Sequence, residues 1–93
     1  MSDYKVNGDL ASFEECNIFS KEALNLIALK DEIEIDFKLV HRISSTGVGR
    51  IYTIEEKLKE AGKKLKIINM RKEVKNVLKI MGVLAFVKFI DFE

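Results

Sequence analysis

Three times along this chain, a run with apolar side chains at every second position gives way to one with the helical period, and a last period-two run follows. "EIEIDFKLV" shows the first kind: Ile33, Ile35, Phe37 and Leu39 alternate with Glu34, Asp36 and Lys38, so one strand face is apolar. From Thr46 onward the apolar positions fall three and four apart, the period of a helix face. Strands separated by helices of ten or more residues pair in parallel through right-handed crossovers. The order β-α-β-α-β-α-β therefore implies the α/β class, with one small sheet, and 93 residues suffice for a single domain over 1–93.

The other elements follow from the same periods. "YKVNGDL" alternates Tyr4 and Val6 with Lys5 and Asn7 before Gly8, a strand ending in a turn. In "ASFEECNIFSKEALNLIAL", Ala23, Leu24, Ile27 and Ala28 share one helical face. Ser20 suits the N-cap of that helix, and "SFEE" at Ser12 offers an earlier start with capping-box spacing. The next helix carries Val48, Ile51, Tyr52, Leu58 and Ala61 as its stripe, pairs Glu55 with Lys59, and closes at Gly62. "KLKII" is a strand. "MRKEVKNVLKIMG" is a helix with Val74, Val77, Leu78 and Met81 on one face and Gly82 beyond its end, and "LAFVKFI" is the last strand. Burial is expected for Val48, Ile51, Leu58, Val74, Val77 and Leu78, and exposure for Lys59, Lys63, Lys72 and Lys79.

Charge narrows the function classes. The 16 basic and 15 acidic side chains nearly cancel, so net charge dictates no polyanionic partner. Residues 1–46 hold five basic and nine acidic side chains, and residues 47–93 eleven and six. The basic excess lies in "KLKEAGKKLKIINMRKEVKNVLK", which lacks aromatic residues to stack bases. It reads as solvated helix faces, without nucleic acid as a partner. One histidine, His41, and one cysteine, Cys16, make neither a two-histidine metal site nor a thiolate cluster. His41 is expected as a partly exposed loop residue and Cys16 as a buried structural thiol. "GVGR" completes no dinucleotide fingerprint, and no P-loop is present. No cofactor, metal or catalytic residue is expected. A lone cysteine fits a reducing compartment, "MSDYKVNGDL" lacks a signal-peptide core, and "MGVLAFV" is too short to span a bilayer. A cytoplasmic location without membrane insertion is the expectation.

What remains is "ISSTGVGR", where a strand feeds a helix. Helix starts leave backbone N–H groups unpaired at the positive end of the dipole. Ser44 or Ser45 could cap those donors at about 1 kcal/mol. Equally, three adjacent hydroxyls beside glycines suit a modification site, where a phosphate adds roughly two negative charges. Composition leaves cap, anion site and modification site open.

The stretch "EIDFKLVHRISSTGVG" resembles the signature of the STAS domains, the anti-sigma factor antagonists: a hydrophobic strand, an aspartate, a short loop, then Asp-Ser-Ser-Gly-Leu-Gly. Asp36 matches the strand aspartate, and Ser45, Thr46, Gly47, Val48 and Gly49 match the motif in order. "VNGDL" is similar to the family's Val-Ser-Gly-Glu-Leu, and "EVKNVLKIMGV" to its late helix. Ser44 stands where the family usually has aspartate, and Ala11 where an acidic residue is common. One strand precedes the first helix where the family often has two.

The resemblance implies a mixed, mostly parallel sheet with helices packed on it, and a regulator that works by binding. Its partner would be an anti-sigma factor with serine kinase activity. Phosphorylation just before the first motif glycine, at Thr46 with Ser45 second, would dissolve the complex, and a phosphatase would reset it. Ser44, Ser45, Thr46, Gly47, Val48, Gly49 and Arg50 would form the partner surface. A missing N-terminal strand would leave a sheet edge open for pairing, as in a homodimer. Two other readings stand beside it: an unphosphorylated STAS subunit of a stress-sensing or lipid-transporter assembly, and a small anion-binding module.

Overall fold

The computed structural model describes residues 2–82 and 88–89. Its elements run β1 (Tyr4–Lys5), α1 (Phe13–Ile27), β2 (Glu32–Asp36), α2 (Ser45–Glu60), β3 (Lys64–Ile68), α3 (Lys72–Ile80) and β4 (Lys88–Phe89). The expected order is present, although 84–87 and 90 of the last expected strand lie outside the described residues. The strands lie side by side in chain order, and each described pairing is parallel: Tyr4 faces Ile35, Ile33 faces Leu65, and Ile67 faces Phe89. No antiparallel neighbour joins them among the described residues, because one strand rather than a hairpin precedes α1. Right-handed crossovers stepping one way across a sheet place successive helices on one face.

That face holds the core. Ile33, Ile35, Leu65 and Ile67 are buried, while Glu32, Glu34 and Lys66 on the alternate positions are half-buried. Lys66 and Glu32 pair at 3.2 Å on that second face. Phe19 from α1 meets the Phe37 ring edge-on at 5.9 Å and stacks on Tyr4 at 6.3 Å. Val48, Ile51, Ile54 and Leu58 enter from α2, and Val74 and Leu78 from α3.

Several boundaries differ from the sequence reading. Helix α1 starts after Ser12, not Ser20. Ser12 Oγ accepts the Glu15 N–H at 3.1 Å, and Glu15 Oε1 accepts the Ser12 N–H at 2.8 Å. That reciprocal pair satisfies two donors at once, and Ser20 lies buried within the helix. Strand β2 ends at Asp36, because the Asp36 carboxylate accepts the Lys38 N–H at 2.8 Å and turns the chain. Tyr52, Ala28 and Ala61 are exposed, and Ile54 takes the place given to Tyr52. Each residue advances about 100° around a helix, so Tyr52 lies a full step off the Val48–Ile51 line. Val77 is half-buried against the core. Lys63, expected in solvent, is half-buried and donates to the Ile27 carbonyl at the end of α1. Gly62 and Gly82 follow α2 and α3 with φ of +73° and +76°, the left-handed turn that glycine accepts without strain. Among the described residues no helix is long and apolar enough to cross a membrane.

Candidate partner-binding and phosphorylation site

The stretch 44–50 lies beyond the carboxyl end of β2, where parallel α/β sheets open their crevices. Two neighbouring segments build its floor. Leu10 and Ile43 form an isolated parallel bridge, in which the Leu10 N–H donates to the Arg42 carbonyl at 3.0 Å and the Ser44 N–H to the Leu10 carbonyl at 2.9 Å. Asp9 locks the same pair of loops. Its Oδ1 accepts the His41 and Arg42 N–H groups at 2.8 and 3.0 Å, with the Arg42 guanidinium 3.9 Å from Oδ2.

The His41 N–H first, then the Arg42 N–H and charge, hold the Asp9 carboxyl below the usual aspartate range against an opposing effect of burial. A group whose pKa is depressed by folding stabilises the fold above its unfolded value, and that contribution fades as pH falls through the folded value. Asp9→Ala should therefore lower stability clearly at pH 7, and the gap to wild type should narrow below about pH 4. Denaturant midpoints at pH 7 and pH 3 check this. A gap that does not change with pH would show that the carboxylate charge is irrelevant to the loop.

The three hydroxyls have separate fates. Ser44 is the N-cap: its Oγ accepts the Gly47 N–H at 3.2 Å and lies 3.2 Å from the Leu10 carbonyl, to which it donates. Beneath it the buried thiol of Cys16 sits 3.6 Å from that carbonyl and 3.9 Å from Ser44 Oγ. Ser45 and Thr46, the first two residues of α2, are exposed. Helix α2 carries no acidic residue in its first turn, so its positive end is not offset there.

The glycines divide in the same way. A Cβ on Gly47 would stand 2.7 Å from the Leu10 carbonyl oxygen and 2.8 Å from Ile43 Cγ1, whereas one on Gly49 meets nothing within 4 Å. Gly47 is thus required for the close approach of α2 to the Leu10 bridge. Gly47→Ala should cost about 1–3 kcal/mol through overpacking, and Gly49→Ala should be neutral or stabilising by up to about 1 kcal/mol. Thermal unfolding of the two variants checks the contrast, and equal effects would contradict it.

The seven residues expected to form a partner surface are not all exposed. Ser45, Thr46 and Gly49 are exposed, and Ser44 and Arg50 are half-buried. Gly47 and Val48 are buried and hold the helix in place. Exposed His41 is a loop residue, as expected. Asp36, matched to the strand aspartate, also accepts from Asn69 Nδ2 at 3.2 Å, which ties the end of β2 to the loop after β3. Sequence reasoning missed Asp9 and Asn69. "VNGDL" held a signal for the first, since its acidic residue follows a glycine turn; nothing local marks the second.

The model of the STAS domain matches residues 4–92. The chain belongs to the STAS domain family. Solved structures carry the same fold. The NMR structure of TM1081 aligns with a TM-score of 0.80 and 22% identity, over 99% of this chain and 77% of that one. The crystal structure of the same protein, a proposed anti-sigma factor antagonist of Thermotoga maritima, gives 0.75 and 20% over 96% and 74%. The anti-sigma factor antagonist SpoIIAA, in its unphosphorylated form, gives 0.73 and 13% over 100% and 84%. No curated protein matches significantly. The small α/β domain with its parallel sheet is the STAS fold.

Proposed function

We propose that this STAS domain is an anti-sigma factor antagonist that binds an anti-sigma factor with serine kinase activity and is switched off by phosphorylation at Thr46. The observation that carries the reading is the division of the hydroxyls. Ser44 is committed to capping α2, while Thr46 stands exposed in its first turn. The kinase would transfer the γ-phosphoryl group of ATP to Thr46 Oγ1, with the hydroxyl proton passing to a base on the kinase and ADP leaving. A hydrolytic phosphatase would return the hydroxyl. The likeness to SpoIIAA, named for an unphosphorylated form, supports the same reading.

In this role the domain is a binding partner and not an enzyme. The surface it offers is Ser45, Thr46, Gly49 and Arg50. Gly49 adds bare helix backbone, which lets another chain approach closely. Capture from the native cytosol on the immobilised domain tests the reading. A protein with an ATP-binding kinase domain, released once Thr46 is phosphorylated, is the expected result. Recovery of a transporter ATPase alone, with binding indifferent to phosphate, would favour a subunit of a fixed assembly.

A further inference from the structure

Arg50 has a second possible partner besides the one it touches now. Its guanidinium carbon lies 5.5 Å from the centroid of the Phe13 ring, a cation–π contact linking α2 to the first residue of α1. Phe13 is 67% exposed, so water weakens that contact. Among the described residues no carboxylate pairs with Arg50.

Arg50 is also four residues after Thr46 on α2. Side chains on a helix lean toward its N-terminus, so a residue covers the turn before its own Cα. An anion at one position and a cation four residues later is the favourable orientation of such a pair. A phosphate dianion offers several acceptor oxygens to the guanidinium fork, and such charge-assisted bonds exceed a contact with an exposed ring.

Resting on Thr46 as the acceptor, we infer that Arg50 is a positioning residue for the phosphorylated state: it leaves the Phe13 ring to hold the phosphate. The ring, on a different helix, is then uncovered. The modification thus changes the surface at α1 as well as at Thr46, and a partner that spans both helices meets two differences.

The test uses the full chain with phosphothreonine installed at position 46 by chemical ligation, so that no kinase is needed. Nuclear magnetic resonance follows the Arg50 Nε–H and the Phe13 ring protons. In wild type, the phosphate should shift both sets of signals, with the Phe13 signals losing the effect of the guanidinium. In Arg50→Ala, the Phe13 response to phosphate should be lost; in Arg50→Lys, which keeps a point charge without the fork, it should be partial. A Phe13 response equal with and without Arg50, or an Arg50 Nε–H that ignores the phosphate, would overturn the inference. A kinase that never modifies Thr46 would defeat the functional reading and leave these signals as they are, so the two failures are distinct.

Discussion

Phosphorylated Thr46 should bind the partner kinase at least about a hundredfold more weakly than the unmodified domain, while Thr46→Ala stays within about tenfold, roughly 1.4 kcal/mol. The asymmetry follows from where Thr46 sits. It is exposed in the first turn of α2, and an uncharged hydroxyl on such a surface contributes little to binding by itself. A phosphate there brings a near-dianion into a surface that must shed water, and burying that charge at an interface whose other side was built for a neutral hydroxyl costs several kcal/mol. Thr46→Glu should weaken binding in part, having one charge and a different shape. In the free protein the uncompensated N-terminus of α2 favours the phosphate, so the modified domain should remain folded. Titration calorimetry on the four forms measures this. Equal affinities for the alanine, glutamate and phosphorylated forms would remove the switch.

Leu78→Ala should destabilise the domain by about 2–5 kcal/mol. Helix α3 spans nine residues and buries two of them, Val74 and Leu78. A helix that short is marginal in water without tertiary packing, so truncating one of its two anchors loosens the whole element. No side-chain cap supports its start at Arg71, although Arg71 Nε donates to the Lys38 carbonyl at 2.9 Å. Ile80, two residues on and 84% exposed, supplies the control: Ile80→Ala should change stability by less than about 0.5 kcal/mol. Urea denaturation with unchanged slope is the measurement. A cost below about 0.5 kcal/mol at Leu78 would mean that α3 does not dock as described.

Periodicity made the start of α2 legible to within a residue, because the change from period two to 3.6 is abrupt at Thr46. It failed at the end of β2. Alternation continues through Phe37 to Leu39, yet the strand stops at Asp36, since a carboxylate bonding the backbone two residues on leaves no trace in an apolar pattern. Phe37 stays buried all the same, which is why the pattern misleads there. At α1 the two candidate caps are chemically alike. What separates them is Glu15, which completes the reciprocal bonds of Ser12.

The candidate site was legible as a stretch and illegible in its division of labour. Which hydroxyl caps and which is exposed depends on the Leu10 carbonyl, 34 residues before Ser44. The same holds for Gly47 and Gly49, equally small in the sequence, of which only the first faces the Leu10 bridge closely. The Asp9 carboxylate reaches His41 and Arg42 across a comparable span. These contacts exist once the parallel sheet sets β1 beside β2, and no local window contains both partners.

In the proposed switch, Thr46 is the acceptor of a kinase-driven phosphoryl transfer. Incubation of the domain with its captured anti-sigma kinase and ATP, followed by mass-spectrometric mapping, tests it most directly when wild type, Ser45→Ala and Thr46→Ala are compared. One phosphate on Thr46 is expected in wild type and Ser45→Ala, with transfer abolished or diverted to Ser45 in Thr46→Ala. Phosphate found elsewhere, or no transfer to either hydroxyl from a kinase that binds the domain, would contradict the account.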